Sequence, residues 1–441
     1  MGDWQAYPRS VHGDVFAAKG TGGDVLVISG HSQAMDHEAA AFLREKFPFT
    51  APQKVLHQAR TFGVGDRLGI ATPGLLKVFE RFDAVPVLAQ QSMRELKLTG
   101  RTYADVLDSV TFAVFKAGYT LGFGADGDHL KQAEEVRLAL SLGYTMITLD
   151  CSEHIRGPEG RAELTQALRD RYLGRRFDLD EGPALTFDQD SLAQAQHIYG
   201  GALDFAAEVW QSCFSGQAQA DLEISIDETA LPTSPLQHFF AASELRHRGV
   251  RMKTMAPRFI GEFQKGIDYI GDVSAFDREM QTHAAIARHF GYKISVHSGS
   301  DKFSVFPSIA KHTRGAFHVK TAGTNWLEAM RTVAEKDPAL YRLVHAHALE
   351  NFQAARAYYH VSARAENIPV LSTLRDEELP FLFDLDDARQ LIHITYGLIL
   401  GNPALRKALY TLWDREADAY AARMEHHIGR HMLALKVGER G

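Results

Sequence analysis

Cysteine is scarce: the chain has 441 residues and only two cysteines, Cys151 and Cys213. Two thiols cannot staple a disulfide scaffold, and a reducing, cytoplasmic setting is expected. Positive charge is not in excess either. Lys and Arg number 48 against 55 Asp and Glu, a net charge of −7. The chain therefore lacks the broad basic field that draws proteins onto nucleic acid, and no nucleic-acid partner is expected. No run of about 18 apolar residues occurs, so neither a membrane span nor a membrane partner is expected. The opening MGDWQAYPRSVHGD has no basic region followed by an apolar core, so no secretory leader is expected. There is no Gly/Ser or Pro linker, no low-complexity tract and no clear sequence repeat. A P-loop, a G-x-S-x-G elbow, a CxxC pair and an HExxH motif are also missing.

What is present is an ordinary globular balance, 45% hydrophobic and 23% charged residues. That balance excludes a disordered chain, a collagen and a coiled coil. The unusual figure is 21 histidines, which is compatible with a metal-binding protein. Short β-rich runs alternate with amphipathic segments. The runs are 85–92, 119–128, 144–150, 222–228, 258–263, 293–301 and 317–323. In the segment FDREMQTHAAIARHFG, Phe276, Met280, Ala284 and Ile286 fall near one helical face. Gly143 and Gly291 follow such segments, where a left-handed cap is favoured. Alternating β and α elements predict a parallel sheet with crossover helices. Seven candidate strands favour an α/β fold of the (β/α)8, TIM-like barrel type over an open sheet. The eighth strand is assigned to 368–374. Residues 1–80 read as an N-terminal α/β extension, 81–375 as the barrel, and 376–441 as a C-terminal helical segment. Asn402-Pro403 is a cap-plus-proline helix start within that last segment.

Side chains at the C-terminal ends of barrel strands converge on one mouth. Those ends supply Gln90, Gln91, Asp126, Asp128, His129, Asp150, Asp227, Glu228, Glu262, His297 and Lys320. A catalytic divalent metal needs about three protein ligands and an open position. His129, Glu262 and His297 come from three strands and are the expected metal ligands, for Zn, Mn, Ni, Co or Fe. A competing motif is Gly122-Phe-Gly-Ala-Asp-Gly127, which fits the G-x-G-x-x-G dinucleotide fingerprint. Asp128 and His129 follow it directly, so a pyrophosphate would meet a carboxylate at the helix start that should receive it. His426, His427 and His431 read as a solvated helix face rather than a metal site, although His427 and His431 have i, i+4 spacing.

Asp128-His129 at one strand end and His297-Ser-Gly-Ser at a later one resemble the metal-dependent (class II) aldolases. In that family such an Asp moves a hydroxyl proton and both histidines hold zinc. The segments KISVHSGSDKFSVFPSIAKH and FHVKTAGTNWLEAMRTVA, with LAQQSMREL and GFGADGDHLK, resemble the tagaturonate epimerase family from about residue 85 to 400. That resemblance implies interconversion of D-tagaturonate and D-fructuronate. Some members also act on fructose and tagatose at C4. The hydrogen on the inverted carbon is not acidic, so enolisation there cannot invert it. Transient oxidation by a dinucleotide, or retro-aldol cleavage and re-formation, remain as routes. The residue inventory fits the second route, which calls for a Lewis acid and a proton-transfer group on each face. Asp128 is the expected catalytic group on one face, with Asp227 or Glu228 on the other. Lys302 and Lys320 are candidates for the substrate carboxylate, and Gln90 and Asn325 for sugar hydroxyls. The expected partner is a sugar acid or ketohexose, and a homo-oligomer is compatible with the sequence. The alternative within enzymes is a Schiff-base aldolase using Lys320.

Overall fold

The structure, a computed structural model, describes residues 4–179, 181–214 and 219–441. Eight parallel strands close into a barrel. They are β1 (Arg60–Val64), β2 (Val85–Ser92), β3 (Gly124–Leu130), β4 (Met146–Asp150), β5 (Asp221–Ile226), β6 (Thr254–Pro257), β7 (Lys293–Val296) and β8 (Phe317–Thr321). Each strand pairs with its neighbours in chain order. The ring shuts where Phe317 to Thr321 of β8 lie opposite Arg60 to Val64 of β1.

The helices between strands form for local reasons and bury one stripe each. Helix Val273–Phe290 starts where Asp272 accepts the N–H groups of Ser274 and Ala275, and ends at Gly291 with φ +77°. Its Phe276, Met280, Ala284 and Ile286 are all buried, each large side chain contributing about 1.5–3 kcal/mol. The strands alternate in the same way. On β5, Leu222, Ile224 and Ile226 are buried among core residues, while Glu223 and Ser225 join the polar groups inside the barrel. Barrels of this kind are usually filled by branched aliphatic side chains. Here the interior carries Thr61, Asp126, Thr148, Glu223, Thr254, Ser295, His318 and Lys320, all buried. A polar filling survives burial only when its members satisfy one another.

Ahead of the barrel, strands Gln5–Ala6, Val15–Gly20, Gly23–Ile28 and His31–Ala34 form an antiparallel sheet. With helix His37–Lys46 it builds a small core that includes Phe112 and Phe115 of helix Tyr103–Ala117. Residues 1–3 of the expected extension lie outside the described residues. After the barrel, helices Asp386–Ile394, Tyr396–Gly401, Pro403–Arg415 and Ala417–Ala434 follow one another. Asn402 caps the third of these with its side-chain oxygen, and Pro403 occupies the first turn. Among the described residues, no helix is long and apolar enough to cross a membrane.

Three expected elements move. The first barrel strand is Arg60–Val64, inside the segment assigned to the N-terminal extension. The run 258–263 is not a strand: β6 ends at Pro257, and Glu262 instead makes a single antiparallel bridge to Ile270. The run 368–374 follows a 3-10 turn at Ala365–Asn367 and contains another at Leu371–Thr373, with Val370 exposed. Its apolar letters mimic a strand, but the ring is already closed by β8 against β1.

Candidate active site

At the C-terminal mouth of the barrel lies a cavity of about 290 Å³. Seven of the expected site residues line it: Gln90, Asp128, His129, Asp227, Glu228, His297 and Lys320. Two local distortions aim the side chains. β3 shifts register against β4 between Gly127 and Leu130, and within that bulge His129 adopts φ +54°. Ser298, directly after His297, has φ +49°. Left-handed backbone at non-glycine residues costs about 1–2 kcal/mol each, and bulges near active sites re-aim side chains.

Beneath the cavity, Lys320 Nζ sits among three carboxylates. It lies 2.7 Å from Asp126 and 3.4 Å from Glu223, pairs closely with Asp128, and donates to Thr148 Oγ1 at 2.6 Å. Burial alone would strip its proton, but Asp126, Asp128 and Glu223 hold it well above the ordinary lysine range. Burial raises Asp126 to about 6 despite Lys320. Burial would also raise Asp128 and Glu223. His129 and Lys320 keep Asp128 far below the usual carboxylate range, and Lys320 and His297 do the same for Glu223.

Two of the cavity histidines, His129 and His297, have one nitrogen held by a carboxylate. His129 Nδ1 is 2.8 Å from Asp128 Oδ1, and His297 Nε2 is 2.7 Å from Glu223 Oε1. Each pairing fixes the ring and leaves the other nitrogen for a ligand, as seen around metal-binding histidines. His297 Nδ1 is buried without a hydrogen-bond partner among the described residues. Asp227 Oδ2 lies 3.3 Å from it, close enough for charge attraction but without hydrogen-bond geometry. His129, Asp227 and His297 each offer one ligand atom, all within 4.8 Å of one another. Burial disfavours charge on His297, yet Asp227 and Glu223 raise it to about 10. The cluster therefore calls for positive charge. The orphaned nitrogen, the two carboxylate-held imidazoles and the surplus of carboxylates all fit a divalent cation.

Three expected residues are not brought to the cavity. Glu262 is half-exposed, bonded to Gln264 and 3.6 Å from His360, because β6 has already ended. Asp227 takes its place in the cluster. Lys302 is buried and donates to the carbonyls of Gln264, Ile267 and Ser300. Asn325 donates to the Gly65 carbonyl at 2.6 Å. Gln90 does reach the cavity and keeps its Oε1 unpartnered. The glycine motif does not form a dinucleotide cradle: Gly124 and Gly127 lie inside β3, and the next helix starts only at Ala133. His427 and His431 are buried, not solvated. His427 Nε2 bonds Asp301 at 2.6 Å, and His431 Nε2 accepts from the Asp301 N–H, so their nitrogens already have protein partners.

Sequence reasoning passed over Glu223, Lys265 and His393. Glu223 had a readable signal, since in LEISIDE it shares the inward face with Ser225 and Asp227. Lys265 and His393 come from a loop and a late helix, and no strand-end rule reaches them.

The sequence profile of the tagaturonate epimerase family matches residues 27–435. The chain belongs to that family. The tagaturonate/fructuronate epimerase of Thermotoga maritima is 42% identical over 413 residues, spanning 91% of this chain and 85% of that protein. The native crystal structure of fructuronate-tagaturonate epimerase UxaE from Cohnella laeviribosi superposes with TM-score 0.95 at 44% identity, covering 99% of this chain and 97% of that one. A crystal structure of the same protein complexed with one glycerol gives TM-score 0.95 over 98% and 97%. This member of the tagaturonate epimerase family is thus a carbohydrate epimerase on a closed parallel barrel.

Proposed function

We propose that the protein interconverts D-tagaturonate and D-fructuronate by retro-aldol cleavage and aldol re-formation next to the inverted carbon, with a divalent cation held by His129, Asp227 and His297. The names of its relatives supply the substrate pair. The observation that carries the mechanism is the convergence of three ligand atoms within 4.8 Å, with each histidine's second nitrogen on a buried carboxylate. Once bound, the cation would supply Lewis-acid stabilisation of negative charge on the ketone and adjacent hydroxyl oxygens.

The chain's own groups supply the rest. The contacts from His129 and Lys320 both land on Asp128 Oδ1, and among the described residues Oδ2 has no hydrogen-bond partner at the cavity wall. Asp128 is kept ionised, so Oδ2 is in the form that accepts a hydroxyl proton. Asp227 belongs to the ligand cluster, which leaves Glu228, also lining the cavity, to serve the opposite face of the aldehyde. Gln90 lines the cavity, with its Oε1 turned against Gly63 and its Nε2 toward the Thr321 carbonyl. The polar barrel interior holds this wall in place: Thr254 donates to Glu223 at 2.6 Å while Glu223 fixes His297.

Imine chemistry through Lys320 is disfavoured. A Schiff-base lysine must be neutral to attack, whereas the three carboxylates around Lys320 hold its proton tightly. Proton NMR of purified protein with tagaturonate, and separately with fructose and tagatose, tests the reading. Appearance of fructuronate that stops in His129→Ala and His297→Ala supports it. Full turnover in either variant removes that histidine from the scheme.

A further inference from the structure

Beside Ser298 the cavity wall carries a lysine that forms no ion pair within 4 Å among the described residues, with Glu95 and Glu228 acting on it only from farther off. Lys265 lines the cavity, and its one hydrogen bond among the described residues goes to Ser298 Oγ at 2.9 Å. Other lysines at the site are paired: Lys320 with its carboxylates, Lys131 with Glu153 at 3.3 Å and Asp150 at 3.6 Å. Glu95, on the same wall, is already neutralised by Arg67 at 2.8 Å. A cation left unpaired in a cavity rich in carboxylates calls for an anion that arrives with the substrate.

The loop carrying this lysine is clamped at four successive carbonyls. Lys302 Nζ donates to Gln264 O at 2.9 Å and to Ile267 O. Gln390 Nε2 reaches Lys265 O at 3.2 Å, and Arg389 Nε reaches Gly266 O at 2.6 Å. Side chains from the 301–302 turn and from helix Asp386–Ile394 thus hold Lys265 in place before any ligand binds. The same helix presents His393. Its ring lines the cavity, is 1% exposed, and has no hydrogen-bond partner on either nitrogen among the described residues. It lies between two glycines. A Cβ on Gly323 would fall 1.7 Å from His393 Cε1, and one on Gly266 3.0 Å from Nδ1. A buried imidazole with two free nitrogens, beside an unpaired ammonium, is a polar subsite awaiting oxygen atoms.

We propose that Lys265 and His393 form the subsite that binds the carboxylate end of the hexuronate, and that this grip retains the cleaved three-carbon acid while it turns over. The proposal rests on the reading of the reaction above. In the cleavage, the C4 hydroxyl proton passes to a carboxylate on the wall and the C3–C4 bond breaks. Its electron pair becomes the enediolate of dihydroxyacetone, and C4 becomes the aldehyde of 2-hydroxy-3-oxopropanoate. Rotation about C4–C5 presents the other aldehyde face. The enediolate carbon then re-forms the bond, and the new C4 oxygen recovers a proton. Only the acid fragment carries the carboxylate, so Lys265 keeps hold of the piece that must rotate.

Calorimetric titration with D-galactonate and with the neutral galactitol tests the subsite without requiring turnover. The wild-type protein should bind galactonate at least tenfold more tightly. Lys265→Met should weaken galactonate about 30-fold, close to 2 kcal/mol at 1.4 kcal/mol per decade, and galactitol less than threefold. Lys265→Arg should recover part of the loss. During tagaturonate turnover, Lys265→Met should leak dihydroxyacetone, which the wild type retains. Equal affinity of the wild type for both probes overturns the proposal even if the variants fail to fold, as does an equal loss of both probes in Lys265→Met. Preferential galactonate binding by a wild type that does not interconvert tagaturonate would keep the subsite and defeat the epimerase reading instead.

Discussion

Lys320→Met is the most searching perturbation of the barrel interior. It removes the single cation that Asp126, Asp128 and Glu223 share, and it leaves Thr148 Oγ1 to choose between Asp126 at 2.9 Å and Glu223 at 3.2 Å. All of these groups are buried. At an effective dielectric near 20, a unit pair about 3 Å apart attracts by about 5 kcal/mol. Lysine desolvation offsets part of this, and removing one partner of a buried pair costs about 3–5 kcal/mol. The loss depends on pH with a definite sign. Asp126 already stands at about 6 with the lysine present, and without Lys320 it rises further above its unfolded value, whereas Asp128 and Glu223 still keep His129 and His297 as partners. Protonation therefore relieves the variant as pH falls. Urea denaturation of chelator-treated protein should show Lys320→Met about 3–5 kcal/mol less stable than wild type at pH 8, with a smaller deficit at pH 5.5. Equal stability at pH 8, or a deficit that grows on acidification, would refute this account of the interior.

Glu223→Gln keeps the shape at the His297 ring but withdraws the charge, so competition with a chromophoric chelator should show divalent-ion affinity about 10–100-fold weaker. Unchanged affinity would mean the carboxylate does not support the ligand. Glu262→Gln should leave ion affinity and turnover within about twofold, because its side chain stands outside the cavity; loss of the ion would return Glu262 to the ligand set. The buried His238–His283 pair, linked at 2.8 Å and joined by Tyr292 at 2.6 Å, should limit acid stability. Burial holds His283 at about 4 and His238 well below its ordinary 6.5. Each is thus depressed on folding, so the stability is present above about pH 6.5 and is lost as pH falls toward 4. His283→Leu should shift the acid-unfolding midpoint downward, as followed by circular dichroism.

The barrel was legible in the sequence because its strands end in polar residues and its helices carry one apolar stripe. Phe276, Met280, Ala284 and Ile286 are buried as that stripe requires. Its first strand was not legible: RTFGV is five residues long and lies next to a separate antiparallel sheet, so it blended into the extension. IPVLSTL read as a strand on composition, while its fold is decided by Arg342, whose guanidinium bonds the carbonyls of Leu371 and Leu374. For the site, the strand-end rule places Asp128, His297 and Lys320 at the mouth, and period-two alternation in LEISIDE marks Glu223. The rule failed at Glu262 because it assumed β6 ran on past Pro257. Lys302 illustrates a second limit. Composition announces a lysine near the site, but only tertiary structure shows that it clamps the loop bearing Lys265.

The most direct test of the central claim is to follow conversion of tagaturonate to fructuronate by the purified protein before chelation, after chelation, and after adding back Mn2+ or Zn2+, with metal content measured on each sample. The account predicts that activity and bound ion disappear together, return together, and do neither in His297→Ala. Undiminished conversion by protein shown to be free of divalent ions would contradict it.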